Sequence, residues 1–346
     1  MYNSYLKYEH NDLNDLDFFQ QHQVHKEPLQ TLDDRPVDNA FALIREDGSL
    51  ASDTAVTGTY TLTNHFDLYS KHNDIIENSN LPYQNVKVID EVTPNGLKAR
   101  RSVQYLDTAR DVVKAGDPIT CRSDVVNSVN QTWAFQMFSG AYRSFCENSM
   151  VFGGDKIAYA KQKHSRHFDP MILLRTANET LQDYEKNSDR FKEWSKTTVT
   201  DEMAMKFLAD NFCVYPETEL RQRAAEMVGA TDEDIKYNKK KLATMLVLWN
   251  QYKSQLGQNK WALYNAITHY ATHTHETYTV SVENKHGETY ETEHCTGRIT
   301  RKTPQVEHSE GGKAYTLSEQ HDRSRLVAII VTKPEFQQLA NERGII

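Results

Sequence analysis

The chain has 346 residues, 38% hydrophobic and 10% aromatic, with 40 Lys and Arg against 48 Asp and Glu and a formal net charge of −8. That length suits one large domain or about two ordinary ones, and it buries enough surface to need no disulfide staple. No apolar run approaches the roughly 18 residues of a membrane-spanning helix, and four isolated cysteines without a CxxC fit reduced thiols in a cytoplasm.

Residues 1–38 are rich in Asp, Asn, Gln and His and poor in aliphatics, and they open without the basic and apolar regions of a secretion signal. They read as an acidic, loosely ordered arm with one short helix near Leu13–Gln20. Deleting the arm is expected to leave the melting temperature almost unchanged. Ala40–Ile44 and Thr59–Thr63 read as strands and Phe66–Glu77 as a helix. Val86–Val92 is strand-like, and Pro94-Asn95-Gly96 is a hairpin turn because Gly supplies the positive φ it needs. Lys98–Leu106 returns antiparallel. Pro118–Val126 and Thr132–Phe138 follow as two more strands around a polar turn at Asn127–Gln131.

From Asp169 the period changes. Leu174, Ala177, Leu181, Tyr184, Phe191 and Trp194 line one face of a long helix. A second helix covers Thr200–Phe212, and a third starts at Pro216. Thr231–Asp234 opens a fourth, which carries Leu242, Met245, Trp249, Tyr252 and Leu256 and closes at Gly257. Asn259–Thr272 is a fifth. Thr277–Glu283 and Glu288–Glu293 form a hairpin. A polar loop fills 294–323, Leu326–Val331 is a strand or short helix, and Pro334–Arg343 is a closing helix. Sheet first and helices second predicts an α+β fold, an N-terminal mainly antiparallel sheet followed by a mainly helical half. Its parts are the arm (1–38), an antiparallel-sheet subdomain with a basic surface (39–168), a helical subdomain (169–275), and a hairpin, polar loop and closing helix (276–346).

Charge is unevenly spread. Residues 1–60 carry 4 basic and 11 acidic side chains, a net of −7, whereas residues 97–166 carry 11 basic and 6 acidic, a net of +5. In that basic stretch Lys98, Arg100, Arg101, Arg122, Arg143, Lys161, Lys163 and Arg166 are interleaved with Tyr105, Trp133, Tyr142 and Tyr159. Cations for phosphates and aromatics for stacking are what a single-strand binder needs. Arg143 lies in an uncharged run, so it is either a buried ion pair or a phosphate fork. Lys239–Lys241 reads as a solvated helix face.

No nucleophile elbow, P-loop, zincin helix or dinucleotide fingerprint occurs, and no cofactor is implied. Cys146 with His164 or His167 has the residue types of a thiol nucleophile and base, but its apolar neighbours favour core packing. His269, His273 and His275 form H-x3-H-x-H. Tyr270 stands where a zincin helix has Glu, so no metal site is assigned.

One pattern is more specific. Asn127-Ser128, Ala134-Phe135, Gly140-Ala-Tyr-Arg143, Cys146 and Asn148-Ser-Met150 are followed by Arg166-His167 and by Trp261-Ala-Leu-Tyr-Asn-Ala-Ile-Thr-His-Tyr270. Over roughly 55–275 this resembles a phage- and plasmid-borne family, filed as domain of unknown function 932 and called phage/plasmid-like protein. The chain departs from it at Ser149, where the family often has Gly, and in its longer polar tail. The family brings no activity with it. It implies a mobile-element protein in a bacterial host cytoplasm, near replication and recombination functions.

The expectation is a non-catalytic accessory protein of DNA replication or recombination that binds nucleic acid, with single-stranded DNA first. Homo-oligomers and phage replication proteins are the expected protein partners, and no membrane. One alternative is a protein-interaction module that modulates a host or phage enzyme through its acidic arm. A second is a thiol- or metal-dependent enzyme using Cys146 or the His cluster.

Overall fold

A computed structural model describes residues 6–113, 117–143, 148–151, 159–162, 171–213, 238–273, 277–284, 286–295, 323, 326–327, 329–331 and 333–339. Antiparallel strands fill the first half and helices the second, an α+β arrangement. The main sheet runs β1 (Leu6–His10), β5 (Val86–Val92), β6 (Lys98–Asp111), β7 (Pro118–Ser128), β8 (Phe135–Arg143), β10 (Tyr159–Gln162), with β9 (Asn148–Val151) also paired to β8. A second sheet joins β2 (Val24–Gln30), β3 (Pro36–Arg45) and β4 (Val56–Thr57). The hairpin β11 (Thr277–Glu283) and β12 (Thr289–Cys295) forms a third.

The β5–β6 hairpin forms where Pro94-Asn-Gly96 predicts. Gly96 takes φ +71 and donates its N–H to Thr93 O at 2.7 Å. The turn fixes the register, with Val92 opposite Ala99 and Val86 opposite Tyr105. Successive side chains therefore alternate between faces. Ala99, Val103 and Tyr105 enter the main core, and Arg100, Ser102 and Gln104 take the opposite face.

Helix α1 (Asp17–Gln20) is a single turn, and α2 (His65–Glu77) buries His65, Leu68, Tyr69, His72, Asn73 and Ile76, one face at helical spacing. The 26-residue α3 (Met171–Lys196) follows the predicted period, burying Tyr184, Phe191 and Trp194. After α4 (Asp201–Leu208), one π-helical turn covers Ala209–Cys213. Helix α5 (Lys239–Leu256) is capped by Asn238 and ends at Gly257, φ +88. Helix α6 (Lys260–Thr272), capped by Asn259, is buried on nearly every side. It is thus the central helix, and its ring stack of Trp261 and Tyr264 on Phe191 ties it to α3. The described residues of 326–331 are helical, and α7 (Pro334–Gln338) seats Phe336 against Trp194 and Phe207. One apolar cluster runs through the main sheet, α2 and the C-terminal helices, and a satellite of Val24, Leu43, Ala51, Val56, Tyr60, Leu97 and Val129 joins the small sheet to the main one.

Several expectations change. Residues 6–30 are not a loose arm. Strand β1 completes the main sheet on β5, and Leu13, Leu16 and Phe19 are buried in the main core. Three apolar side chains suffice because they dock on a core built elsewhere. Thr59–Thr63 is not a strand; β4 is the short Val56–Thr57. Strand β8 starts at Phe135 rather than Thr132, because Ser128 Oγ closes the preceding loop, accepting the Trp133 N–H at 2.8 Å and donating to its carbonyl at 3.1 Å. The helix starts at Pro216 and Thr231–Asp234 lie outside the described residues, as does the polar loop between 296 and 322.

Candidate functional site

Among the described residues each arginine of the basic stretch is paired with a carboxylate. Arg100 lies opposite Glu91 in the hairpin register and ion-pairs with it. Arg101 lies opposite Asp90, and both side chains are fully buried with Arg101 Nη1 3.1 Å from Asp90 Oδ2. Arg122 donates through Nε and Nη2 to Asp124 at 3.0 and 2.8 Å, and through Nη2 to Ser102 Oγ at 2.7 Å. Arg110 pairs with Glu185 of α3 at 2.9 Å. Arg143 is 1% exposed and forks onto Asp117. Arg101, Arg122 and Arg143 are therefore buried partners of carboxylates and not the surface phosphate contacts that the sequence predicts. The +5 count missed Asp90, Glu91 and Glu185, which lie outside the window but opposite or beside it in the fold. Lys161 lies opposite Gln136 in the β10–β8 register. Lys163 and Arg166 fall outside the described residues.

Lys98 is different. Half-buried at the hairpin end of β6, it holds its Nζ 4.7 Å from the ring centroid of Trp133. Trp133 is also half-buried, at the end of a loop whose Gln131 is exposed with φ +66. Arg45 of the small sheet reaches the same end, donating to Asn95 O at 3.0 Å.

The two faces of the main sheet carry contrasting polar networks. On the face of Arg100, Ser102 Oγ donates to Asp124, Gln104 Nε2 donates to Thr120 Oγ1 at 2.7 Å, and the Arg122 guanidinium lies 5.0 Å from the Tyr142 ring centroid. None of these side chains has an orphaned buried atom. On the opposite face, under residues 10–15, His10 Nε2 lies 3.0 Å from Asp90 Oδ2. Arg101 Nη2 donates to Leu13 O at 2.5 Å, and Asn73 Nδ2 donates to the same carbonyl at 2.5 Å. Here His10 Nδ1, both nitrogens of His72, Asn73 Oδ1, Asp90 Oδ1 and Arg101 Nε make no hydrogen bond among the described residues, although His10 Nδ1 lies 4.0 Å from Asp15 Oδ2. Burial pushes the Asp90 carboxyl up and the Arg101 guanidinium down, each opposed by the other's charge. Burial and then the Arg101 charge push His72 down to about 3.

Arg143 also links two distant stretches. Its Nη1 donates to Asn265 Oδ1 at 3.4 Å, and Asn265 Nδ2 donates to Trp261 O at 2.9 Å. The Gly140–Arg143 and Trp261–Tyr270 segments singled out in the sequence thus meet at one buried contact between β8 and α6. Tyr184 OH pins α3 to the sheet, donating to Thr108 O at 2.8 Å and Ile119 O at 2.9 Å.

The histidine cluster is a hub of hydrogen bonds. His269 Nδ1 lies 2.8 Å from Tyr252 OH and Nε2 3.0 Å from Tyr278 OH, and its ring stacks on His273 at 4.2 Å. His275, His164, His167 and Cys146 lie outside the described residues. Among the described residues no group of three or more His, Cys, Asp or Glu could hold a metal ion. Cys121 and Cys213 are free and buried, and burial pushes the Cys121 thiol well up and Cys213 up to about 12, conditions that suppress the nucleophilic thiolate.

A corner of the helical half gathers cations where the sequence predicts a solvated helix face. Lys241 Nζ lies 5.2 Å from the Tyr270 ring centroid, and the Arg323 guanidinium 4.4 Å from it. Arg323 Nη1 donates to Tyr270 O at 2.9 Å. Lys240 Nζ donates to Thr292 Oγ1 at 3.0 Å, and His294 Nδ1 lies 2.8 Å from Thr244 Oγ1. The available signal was three consecutive lysines in a first helical turn, where acidic residues are favoured.

Residues 54–303 match the family model described as Domain of unknown function (DUF932), so the chain belongs to that family. No curated protein and no solved structure matches. Among the described residues no helix is long and apolar enough to cross a membrane.

Proposed function

We propose that the protein binds single-stranded nucleic acid without catalysis, as an accessory of phage-type DNA replication or recombination in a bacterial host cytoplasm. The observation that carries this reading is the Lys98–Trp133 pair at the hairpin end of the sheet, a half-buried indole held by a cation. A base stacks on such a ring, and the ammonium meets the adjacent phosphate. The internally paired arginines shape the platform and do not touch the strand. The test is anisotropy of a labelled single-stranded oligonucleotide across salt concentrations. Trp133→Ala is expected to weaken binding by roughly 1–3 kcal/mol. Lys98→Gln is expected to flatten the log–log salt slope by about 0.7. Absence of binding at low salt, or variants that bind like wild type, would reject the reading.

A second reading rests on the β2–β3 hairpin. Leu32 is fully exposed and Val37 41% exposed, beside the exposed carboxylates of Glu27, Asp33, Asp34 and Asp38. An apolar tip among carboxylates suits contact with a basic protein surface. Binding partners lost on Leu32→Asp while oligonucleotide affinity stays intact would favour it.

A further inference from the structure

Strand β1 is an open edge. It is the terminal strand of the main sheet, and among the described residues its backbone pairs with β5 alone. Such an edge offers a row of unpaired N–H and C=O groups to an extended segment that fits it. Leu6, Lys7, Tyr8 and Glu9 are exposed and His10 is half-buried. Proteins blunt open edges with charge, and β1 carries Lys7 and Glu9, one residue to either side of Tyr8. These two share one face of the strand, and Leu6, Tyr8 and His10 share the other. Within the chain Glu9 serves two cations, Lys7 and, at 3.0 Å, Lys87 of β5. Tyr8 donates its hydroxyl to Asp15 at 2.9 Å and stacks on Phe18 with ring centroids 5.8 Å apart, so its ring is held in place.

The order of charges along β1 is self-complementary. Two copies laid antiparallel in one continuous sheet are related by a two-fold axis normal to that sheet, which keeps each face on itself. Only residues that share a face then lie opposite one another. An axis at Lys7 sets Lys7 against its own copy, and an axis at Glu9 does the same for Glu9; like charges directly opposite are destabilising. An axis at Tyr8 instead sets Lys7 against Glu9 twice, with Tyr8 against Tyr8 and Leu6 against His10. Opposite charges and aromatic pairs are the favourable cross-strand combinations. Lys7 can cross to the second copy because Lys87 keeps Glu9 paired at home.

We propose that β1 is a docking edge for a second copy of this chain, pairing antiparallel about Tyr8 so that the main sheet runs through a two-fold dimer. Five residues a side make a small interface, so the dimer is weak, concentration-dependent and salt-sensitive. Strand β1 precedes the family match at residue 54, which makes this edge a property of the chain's own N-terminal segment. Neither Lys98 nor Trp133 takes part, so dimerisation and nucleic-acid binding stand or fall separately.

The experiment is sedimentation velocity of the full chain, from micromolar to the highest soluble concentration. Wild type is expected to shift from monomer to dimer, and added salt to move that shift to higher concentration. Lys7→Glu and Glu9→Lys each set like charges opposite at both positions, and each is expected to weaken dimerisation by roughly tenfold or more. Mixed together the two variants complement each other, because one strand then carries two carboxylates and the other two ammonium groups. The mixture should dimerise where neither variant does alone. Circular dichroism and urea midpoints check that both variants fold. One readout needs no variant: in wild type, amide exchange of residues 6–10 should slow as concentration rises. A chain that stays monomeric at every concentration overturns the proposal. So does a dimer that both single variants leave intact, a dimer whose β1 amides exchange as in the monomer, or a mixture that associates no better than its parts.

Discussion

The two polar networks of the main sheet use the same residue types and differ in completeness. On one face Arg122, Asp124 and Ser102 satisfy one another, and Gln104 is satisfied by Thr120. On the other, Arg101, Asp90, Asn73 and His72 are buried beside the half-buried His10, and six side-chain atoms make no hydrogen bond among the described residues. A complete network rigidifies, whereas each unmet buried group costs about 1–3 kcal/mol. The incomplete network is also where residues 10–15 fasten to the sheet, through Leu13 O and Asp15 O on Arg101. Those residues precede the family match at 54. The fastening is thus a feature of this chain's N-terminal segment, laid over a sheet that the family model covers.

Removing that segment should have the largest effect. Deleting residues 1–20 takes Leu13, Leu16 and Phe19 out of the core, at roughly 1.5–3 kcal/mol each, and opens the Asp90–Arg101 pair to solvent. We expect a loss of more than about 5 kcal/mol in urea unfolding, or no folded protein. A melting temperature close to wild type would restore the loose arm. In the complete network, Ser102→Ala should cost about 1–3 kcal/mol, since it strips hydrogen bonds from both Asp124 and Arg122. His72→Leu should cost almost nothing or stabilise, because neither ring nitrogen is hydrogen-bonded among the described residues. The contrast sharpens with pH. His72 is lowered to about 3 in the folded state, against about 6.5 unfolded. Between those values the unfolded chain binds the extra proton, so wild-type stability falls as pH drops from about 6.5 toward 3. The Leu variant should lack that component, by up to about 1.4 kcal/mol per pH unit. Identical pH profiles for the two proteins would show that His72 is reached by water or a partner.

Much of the scaffold was legible in the sequence because it rests on local rules. Pro94-Asn-Gly96 located the hairpin, the 3.6 period located α3, and Asn259 and Gly257 marked helix ends. The site was less legible because its logic is pairwise across strands. Arg100 and Arg101 look like a basic dipeptide until the hairpin register sets them against Glu91 and Asp90. That register follows from the turn alone, so this correction was available in principle. The partners of Arg143 were not: Asp117 lies 26 residues away and Asn265 lies 122 away. The docking of residues 13–19 was hidden for a related reason. A segment with three apolar side chains cannot build a core, and composition does not reveal that it borrows one.

The central claim is that the sheet arginines are structural partners of carboxylates. The most direct test is a double-mutant cycle on Asp90→Leu and Arg101→Met, read by urea unfolding. Each single substitution leaves a buried charge unpaired and should cost roughly 3–5 kcal/mol, while the double variant should recover most of that loss or exceed wild type. Single costs that simply add in the double variant would contradict the account, because Arg101 and Asp90 would then be acting independently.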